Sequence, residues 1–279
     1  MACSACGGSS SGDAVSVIGS FYPLAWAAQA IGGSRVSVID LTPPGVEAHD
    51  TNLNAKQVGQ IETADVVLIL GYLGFQPQVE AAAGNAQGDV VELTKGLDLR
   101  SSNEKGLSAD PHVWLDPALM ATMTERIGAA LERADPRERR ELTGTTRTLV
   151  NSLHALDAQF RTGLSSCRFT TFVATHEAFG YLAHQYGLHQ LGIEGLTPEA
   201  EPSADQLQTA ESAIRNGTAA PAVFYEGTAD GERIGKSVAG DLHVPALPLG
   251  TLEFEPKNGT YLTEMRGDLT ALRMGLQCR

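Results

Sequence analysis

Hydrophobic positions along the chain fall into two alternating patterns. Short β-branched and apolar runs at residues 15–18, 36–41 and 66–70 read as strands. Between the first two, residues 23–31 have helical character and stop at Gly32-Gly33. Residues 55–64 form an amphipathic helix with Val58 and Ile61 on one face. Asp65 then opens the uninterrupted run Val66-Val67-Leu68-Ile69-Leu70, as in a strand buried on both faces. A further short strand is expected at 90–93. This β-α-β-α-β rhythm predicts a parallel sheet covered by helices.

The middle of the chain breaks the rhythm. Residues 117–134 read as one helix. Asp135-Pro136 then opens another, with Asp as its cap and Pro at the first helical position. From 136 to 164 the apolar residues Leu142, Leu149, Leu153, Leu156 and Phe160 recur at helical spacing. A helix of roughly 29 residues would run about 43 Å, long enough to cross a domain. Strand and helix alternation then resumes. Strands are expected at 169–174, 190–193, 222–225 and 246–249, and helices at 178–186, 203–214 (capped by Ser203), 230–242 and 261–276. The expected fold class is therefore α/β, two lobes with parallel sheets flanked by helices, joined by one long rigid helix. The expected divisions are a tether at 1–13, an N-terminal lobe at 14–135, the linker helix at 136–164 and a C-terminal lobe at 165–279.

Composition narrows the function classes. The 279 residues carry 20 Lys+Arg against 33 Asp+Glu, a formal net charge of −13. Nucleic acid and anionic lipid need clustered basic residues, so both are disfavoured as partners. The apolar run at 66–70 is far below the ~18 residues of a membrane helix. The start of the chain, Ala2-Cys3-Ser4-Ala5-Cys6 followed by Gly and Ser, reads as the tether of a mature lipoprotein, with lipid on Cys3 or Cys6. A flexible tail with two incidental thiols is the bland alternative. A lone Cys-x-x-Cys is a poor zinc site. Cys167 and Cys278 lie far apart in sequence; outside the cytoplasm they can persist as a disulfide, and two unrelated thiols are the alternative.

Several enzyme signatures come close and miss. Gly231 to Ser237 resembles a phosphate loop but has three residues between its glycines instead of four. Gly235-Lys236-Ser237-Val238-Ala239 lacks the last glycine of a nucleophile elbow. His176-Glu177 begins a metalloprotease motif, but Gly180 stands where the second His belongs. No Gly-x-Gly-x-x-Gly is present.

The histidines are more informative. Of the seven, His49, His112 and His176 stand out by context. His49 lies in the loop after the 36–41 strand, and His176 ends the 169–174 strand. Both are carboxyl edges, where open α/β sheets bind their ligands. His112 lies in Asp110-Pro111-His112-Val113-Trp114-Leu115-Asp116-Pro117, just before a helix. His154 sits inside the long helix, where packing or solvent is the expected fate, and His184 is expected at the surface.

Four segments together resemble the solute-binding proteins of metal-ion ABC transporters, the ZnuA/TroA-like family, cluster A-I. They are Asp110 to Pro117, Thr175 to Leu182, Pro198 to Ser203 and Tyr261 to Arg266, which agree in order and spacing. The resemblance implies a two-lobed fold bridged by one rigid helix. It implies His49, His112 and His176 as metal ligands, with a fourth carboxylate from a late turn. No Asp occurs there in this chain, so the fourth position is left open among Glu253, Glu47, Asp50 and water. The zinc-type His-rich loop is absent between 74 and 109.

Three imidazoles suit Zn²⁺, whereas manganese prefers more oxygen donors. Asp50, Glu177 and Asp110 are candidates to orient the rings. The expected function is extracytoplasmic capture of Zn²⁺ and its delivery to an ABC importer permease, without catalysis. The expected partners are that permease and a zinc chaperone. The protein is expected at the outer face of the membrane or in the periplasm, as a monomer held only by a lipid anchor. The alternatives are a manganese or other divalent-metal binding protein or adhesin on the same fold, and a zinc-dependent enzyme.

Overall fold

The computed structural model describes residues 14–197 and 204–279. Cys3 and Cys6, the expected lipid-bearing residues, and Ser203, the expected cap, lie outside them. The first lobe contains β1 (Val15–Gly19), α1 (Tyr22–Gly32), β2 (Val36–Asp40), α2 (Ala55–Thr63), β3 (Val66–Ile69), α3 (Pro77–Ala83) and β4 (Asp89–Glu92). Next come α4 (Pro117–Ala134) and α5 (Arg139–Leu164). The second lobe contains β5 (Thr171–Ala174), α6 (Gly180–Gln185), β6 (His189–Gly192), α7 (Ala204–Arg215), β7 (Val223–Tyr225), α8 (Ala229–Leu242), β8 (Ala246–Pro248) and α9 (Tyr261–Gly275).

All pairings within the two sheets are parallel, in the orders β2-β1-β3-β4 and β6-β5-β7-β8. The two lobes thus share one strand order. Each has the reversal of direction that opens a crevice at the carboxyl ends of its strands. The central strand β3 is buried at every position, as its uninterrupted apolar sequence requires.

Local chemistry sets the helix ends. Asn54 and Gln57 form a reciprocal capping box at the start of α2. Asp116 caps α4, its Oδ1 accepting from the N–H of Ala118 at 2.8 Å, with Pro117 in the first turn. The near-miss phosphate loop at 231–237 lies inside α8, so its amides are spent on the helix. α3 was not expected from the sequence; Pro77 opens it and it is only seven residues long.

The long helix begins at Arg139, not Pro136. Asp135 and Pro136 instead form a turn, in which Asp135 Oδ1 accepts from the N–H of Arg137 at 3.2 Å. The remaining 26 residues span about 39 Å. Gly128 of α4 lets α5 approach closely: a Cβ there would fall 2.3 Å from Thr146 Oγ1. Further along, Phe160 stacks on Tyr186 of the second lobe. The same core cluster contains Val17 and Leu68 of the first sheet, Leu153, Leu156 and Phe160 of α5, and Phe172 and Phe224 of the second sheet. Two smaller cores cover the outer faces of the sheets, one under α2 and α3 and one under α7 and α8.

Cys167 and Cys278 form a disulfide that closes 111 residues of sequence separation. It ties the end of α9 to the chain entering β5. No helix among the described residues is long and apolar enough to cross a membrane.

Candidate metal centre

Strand ends build the site. The loop after β2 carries His49, and the long connection after β4 carries His112. His176 follows β5 by two residues, and the loop after β8 carries Glu253. The carboxyl edges of the two sheets face each other across these residues.

His112, His176 and Glu253 offer donor atoms that all lie within 4.8 Å of one another. Nε2 of His112 is 3.6 Å from Glu253 Oε1, and Nε2 of His49 is 3.7 Å from Glu253 Oε2. The His176 ring is 5.0 Å from that of His112 and 6.2 Å from that of His49, centre to centre. Donors about 2.05 Å from a tetrahedral zinc lie roughly 3.3 Å apart, so the two nitrogen–oxygen spacings to Glu253 are close to the edge of such a tetrahedron. His49 stands outside the mutually close group of three and meets it through Glu253. The side chains of His112, His176 and Glu253 have no exposure, and that of His49 is 3% exposed.

Several of these atoms are buried without a hydrogen-bond partner: both ring nitrogens of His49, Nε2 of His112 and Oε1 of Glu253. Orphaned buried polar atoms are costly, and a shared cation satisfies them together. The donor set therefore fits a zinc ion.

Carboxylates orient two of the rings from behind. Nδ1 of His112 is 2.9 Å from Asp110 Oδ1, which also accepts from the His112 N–H at 3.0 Å. Nδ1 of His176 is 2.8 Å from Glu226 Oε2. On His112 this leaves Nε2 facing Glu253, the usual support for a metal-ligating imidazole. Glu177, expected from its position beside His176, does not bond that ring; Glu226 does, because β7 lies beside β5 and both strands end there. Asp50 lies 3.5 Å from Nδ1 of His49, too long for a hydrogen bond. Glu47 Oε2 is 2.8 Å from Nε2 of His49, but out of line for one.

These charges set the proton affinities. Burial alone would lower the pKa of His49 and His112, but the facing carboxylates outweigh it and raise both to about 9. Burial likewise opposes the charged form of His176, and Glu226 raises it overall. Burial disfavours the Glu253 carboxylate, yet the His112 contact and the histidine charges bring it down to about 2. Nε2 of His176 lies 3.0 Å from the Leu196 carbonyl, so both of its nitrogens face acceptors.

The surrounding loops are tied together. Gln76 Nε2 donates to the carbonyls of Ser20 and Ala48, both at 3.0 Å, which fixes the His49 turn. Trp114 Nε1 donates to the Thr251 carbonyl at 2.7 Å, and Gly250 N–H donates to Asp268 Oδ1 at 2.8 Å. Just after these anchors, Leu252 holds φ at +57°, in the left-handed region that a Leu rarely adopts. Tyr181 OH, from α6, donates to the Asp110 carbonyl at 2.8 Å.

Among the carboxylates considered for the fourth position, Glu253 faces both His49 and His112 and groups with His112 and His176, whereas Glu47 and Asp50 group with His49 alone. His154, His184, His189 and His243 are exposed and away from the cluster.

The chain matches the family model ZnuA, zinc-uptake complex component A, periplasmic, over residues 17–275. It is 28% identical to the high-affinity zinc uptake system protein ZnuA of Bacillus subtilis, covering 98% of this chain and 93% of that protein. It is also 28% identical to the zinc-binding protein AdcA of Streptococcus pyogenes serotype M1, covering 93% of this chain but only 56% of that longer protein. Among solved structures, the laminin-binding protein Lmb of Streptococcus agalactiae superposes with a TM-score of 0.82 at 28% identity, over 94% of this chain and 99% of that one. It is described as a bifunctional protein with adhesin and metal-transporting activity. The Zn(II)-bound ZnuA-like domain of Streptococcus pneumoniae AdcA gives a TM-score of 0.79 at 25% identity, over 94% and 99% of the respective chains.

Proposed function

The chain belongs to the ZnuA family, and on that premise we propose that it captures Zn²⁺ outside the cytoplasm and delivers it to the permease of an ABC importer. His49, His112, His176 and Glu253 are the ligands, and zinc is the cargo they bind. One observation carries this assignment: donors of His112, His176 and Glu253 converge within 4.8 Å of one another, His49 Nε2 lies 3.7 Å from Glu253, and several of these buried atoms have no hydrogen-bond partner.

Glu253 supplies the carboxylate that the family's late turn provides as Asp. Three nitrogens and one oxygen favour zinc over manganese. Four protein donors also fill the tetrahedron and leave no open position for a reacting water, which favours binding over catalysis. Asp110 and Glu226 stay hydrogen-bonded behind His112 and His176 and balance the charge of the ion. The protein works as a monomer and can receive zinc from a chaperone.

Calorimetry with competing chelators tests the assignment. His112→Ala and His176→Ala should each abolish high-affinity zinc binding, while His154→Ala should bind as wild type. Wild-type affinity in His112→Ala would overturn it.

A further inference from the structure

The three imidazoles are not held alike. His112 and His176 are locked by Asp110 and Glu226, whereas neither ring nitrogen of His49 makes a hydrogen bond. His49 instead lies between two sets of carboxylates. Nε2 is 2.8 Å from Glu47 Oε2 and 3.7 Å from Glu253 Oε2, and Nδ1 is 3.5 Å from Asp50 Oδ1. Its ring is thus held by contacts to carboxylates rather than by an aligned hydrogen bond.

Outside it lies a cavity of about 480 Å³, whose walls include Glu47, Asp50, Glu194, Glu226 and Asp230 and no Lys or Arg. Four of these acids already face a partner: Glu226 holds His176, Asp230 pairs with Arg233 at 3.0 Å, and Glu47 and Asp50 lie beside His49. Glu194 differs. It is 5% exposed and lines the cavity; its backbone N–H donates to the Thr175 carbonyl at 2.8 Å, but its carboxylate makes no hydrogen bond or ion pair among the described residues. A carboxylate aimed into a cavity from an otherwise buried residue, with no protein cation beside it, is the kind of donor that a cation in the cavity would satisfy.

Resting on the zinc-capture function above, we propose that this cavity is an outer site for a hydrated divalent cation, held by Glu194, Glu47 and Asp50 before His49 draws it into the histidine pocket. Glu47 forms the shared wall, because it lines the cavity and touches His49 Nε2. Oxygen donors of this kind take hydrated zinc and also take calcium, whereas the imidazole pocket does not suit calcium. The outer site therefore sets how fast zinc arrives, and the inner pocket sets how firmly it stays.

Stopped-flow mixing with Zn²⁺ alone tests this. Trp114, whose ring is 5.1 Å from that of His112, supplies the fluorescence signal. Glu194→Gln should slow zinc association on the order of tenfold while leaving dissociation unchanged, because a focusing acidic cleft acts on the on-rate. Excess calcium at constant ionic strength should slow association severalfold in the wild type and not in Glu194→Gln. The wild-type calcium experiment needs no variant, and absence of slowing there overturns the outer site. Wild-type association in a folded Glu194→Gln does the same. If His112→Ala loses zinc while these two results are negative, the capture function stands and the outer site falls. If His112→Ala keeps wild-type affinity, the capture function itself falls.

Discussion

Glu253 Oε2 accepts a hydrogen bond from the backbone N–H of Ala48 at 2.8 Å, across 205 residues of sequence. The carboxylate of the proposed zinc pocket is therefore also the clasp between the loop after β8 and the turn that carries His49. Glu253→Gln keeps the shape and an acceptor for Ala48 but removes the charge. Zinc affinity should fall by roughly two orders of magnitude, about 3 kcal/mol, with the fold retained. Chelator competition and circular dichroism check the two halves of this expectation.

The carboxylates behind the rings should matter without touching zinc. Asp110→Asn and Glu226→Gln each weaken the hold on one Nδ1. Each should reduce zinc affinity about 10–100-fold, the usual effect of losing such a support. Glu177→Gln, beside His176 in sequence but not bonded to its ring, should have little effect. The three titrations are directly comparable.

Proton competition should reach unusually high pH. His49 and His112 hold protons up to about 9, so zinc must displace them at neutral pH. Zinc affinity should keep rising from pH 6.5 to about 9, and calorimetry in buffers of different ionisation enthalpy should show proton release. The metal-free protein should respond in the opposite sense. A histidine pKa raised on folding contributes stability that is complete below 6.5 and lost as pH rises through about 9. The buried carboxyl of Asp268, pushed up to about 8 by burial, acts in the same direction, since folding favours its protonated form. The Tm of metal-free protein should therefore fall between pH 6.5 and 9, and saturating zinc should flatten that decline.

The disulfide should stabilise the protein without tuning the site. Cys167 precedes β5 and His176 follows it, so they lie at opposite edges of the second sheet. Replacing both cysteines with serine should cost on the order of 2–4 kcal/mol of stability and leave zinc affinity unchanged. Denaturant melts and zinc titration of the same variant test both statements.

The alternation of apolar strands and amphipathic helices, the long helix and the contexts of His49, His112 and His176 were legible in the sequence, because each is a local pattern. What was not legible depends on neighbours across the sheet. Glu226 is 50 residues from His176, and only the parallel pairing of β5 with β7 brings their ends together. Glu253 was one of several open choices, because the late turn lacks the expected Asp. Its selection rests on the turn through Leu252, which Trp114 and Asp268 hold from other parts of the chain. The start of α5 was misplaced because Asp135-Pro136 serves a tight turn as well as a helix cap, and the two uses share a sequence signal.

The matching strand orders of the two sheets have a last consequence. Each half of the molecule contributes two of the four converging donors, His49 and His112 from one and His176 and Glu253 from the other. Neither half can complete the proposed coordination sphere alone, so a zinc ion held there would act as a rivet between them. A membrane protein that senses how one half seats on the other would tell a loaded carrier from an empty one without ever touching the metal.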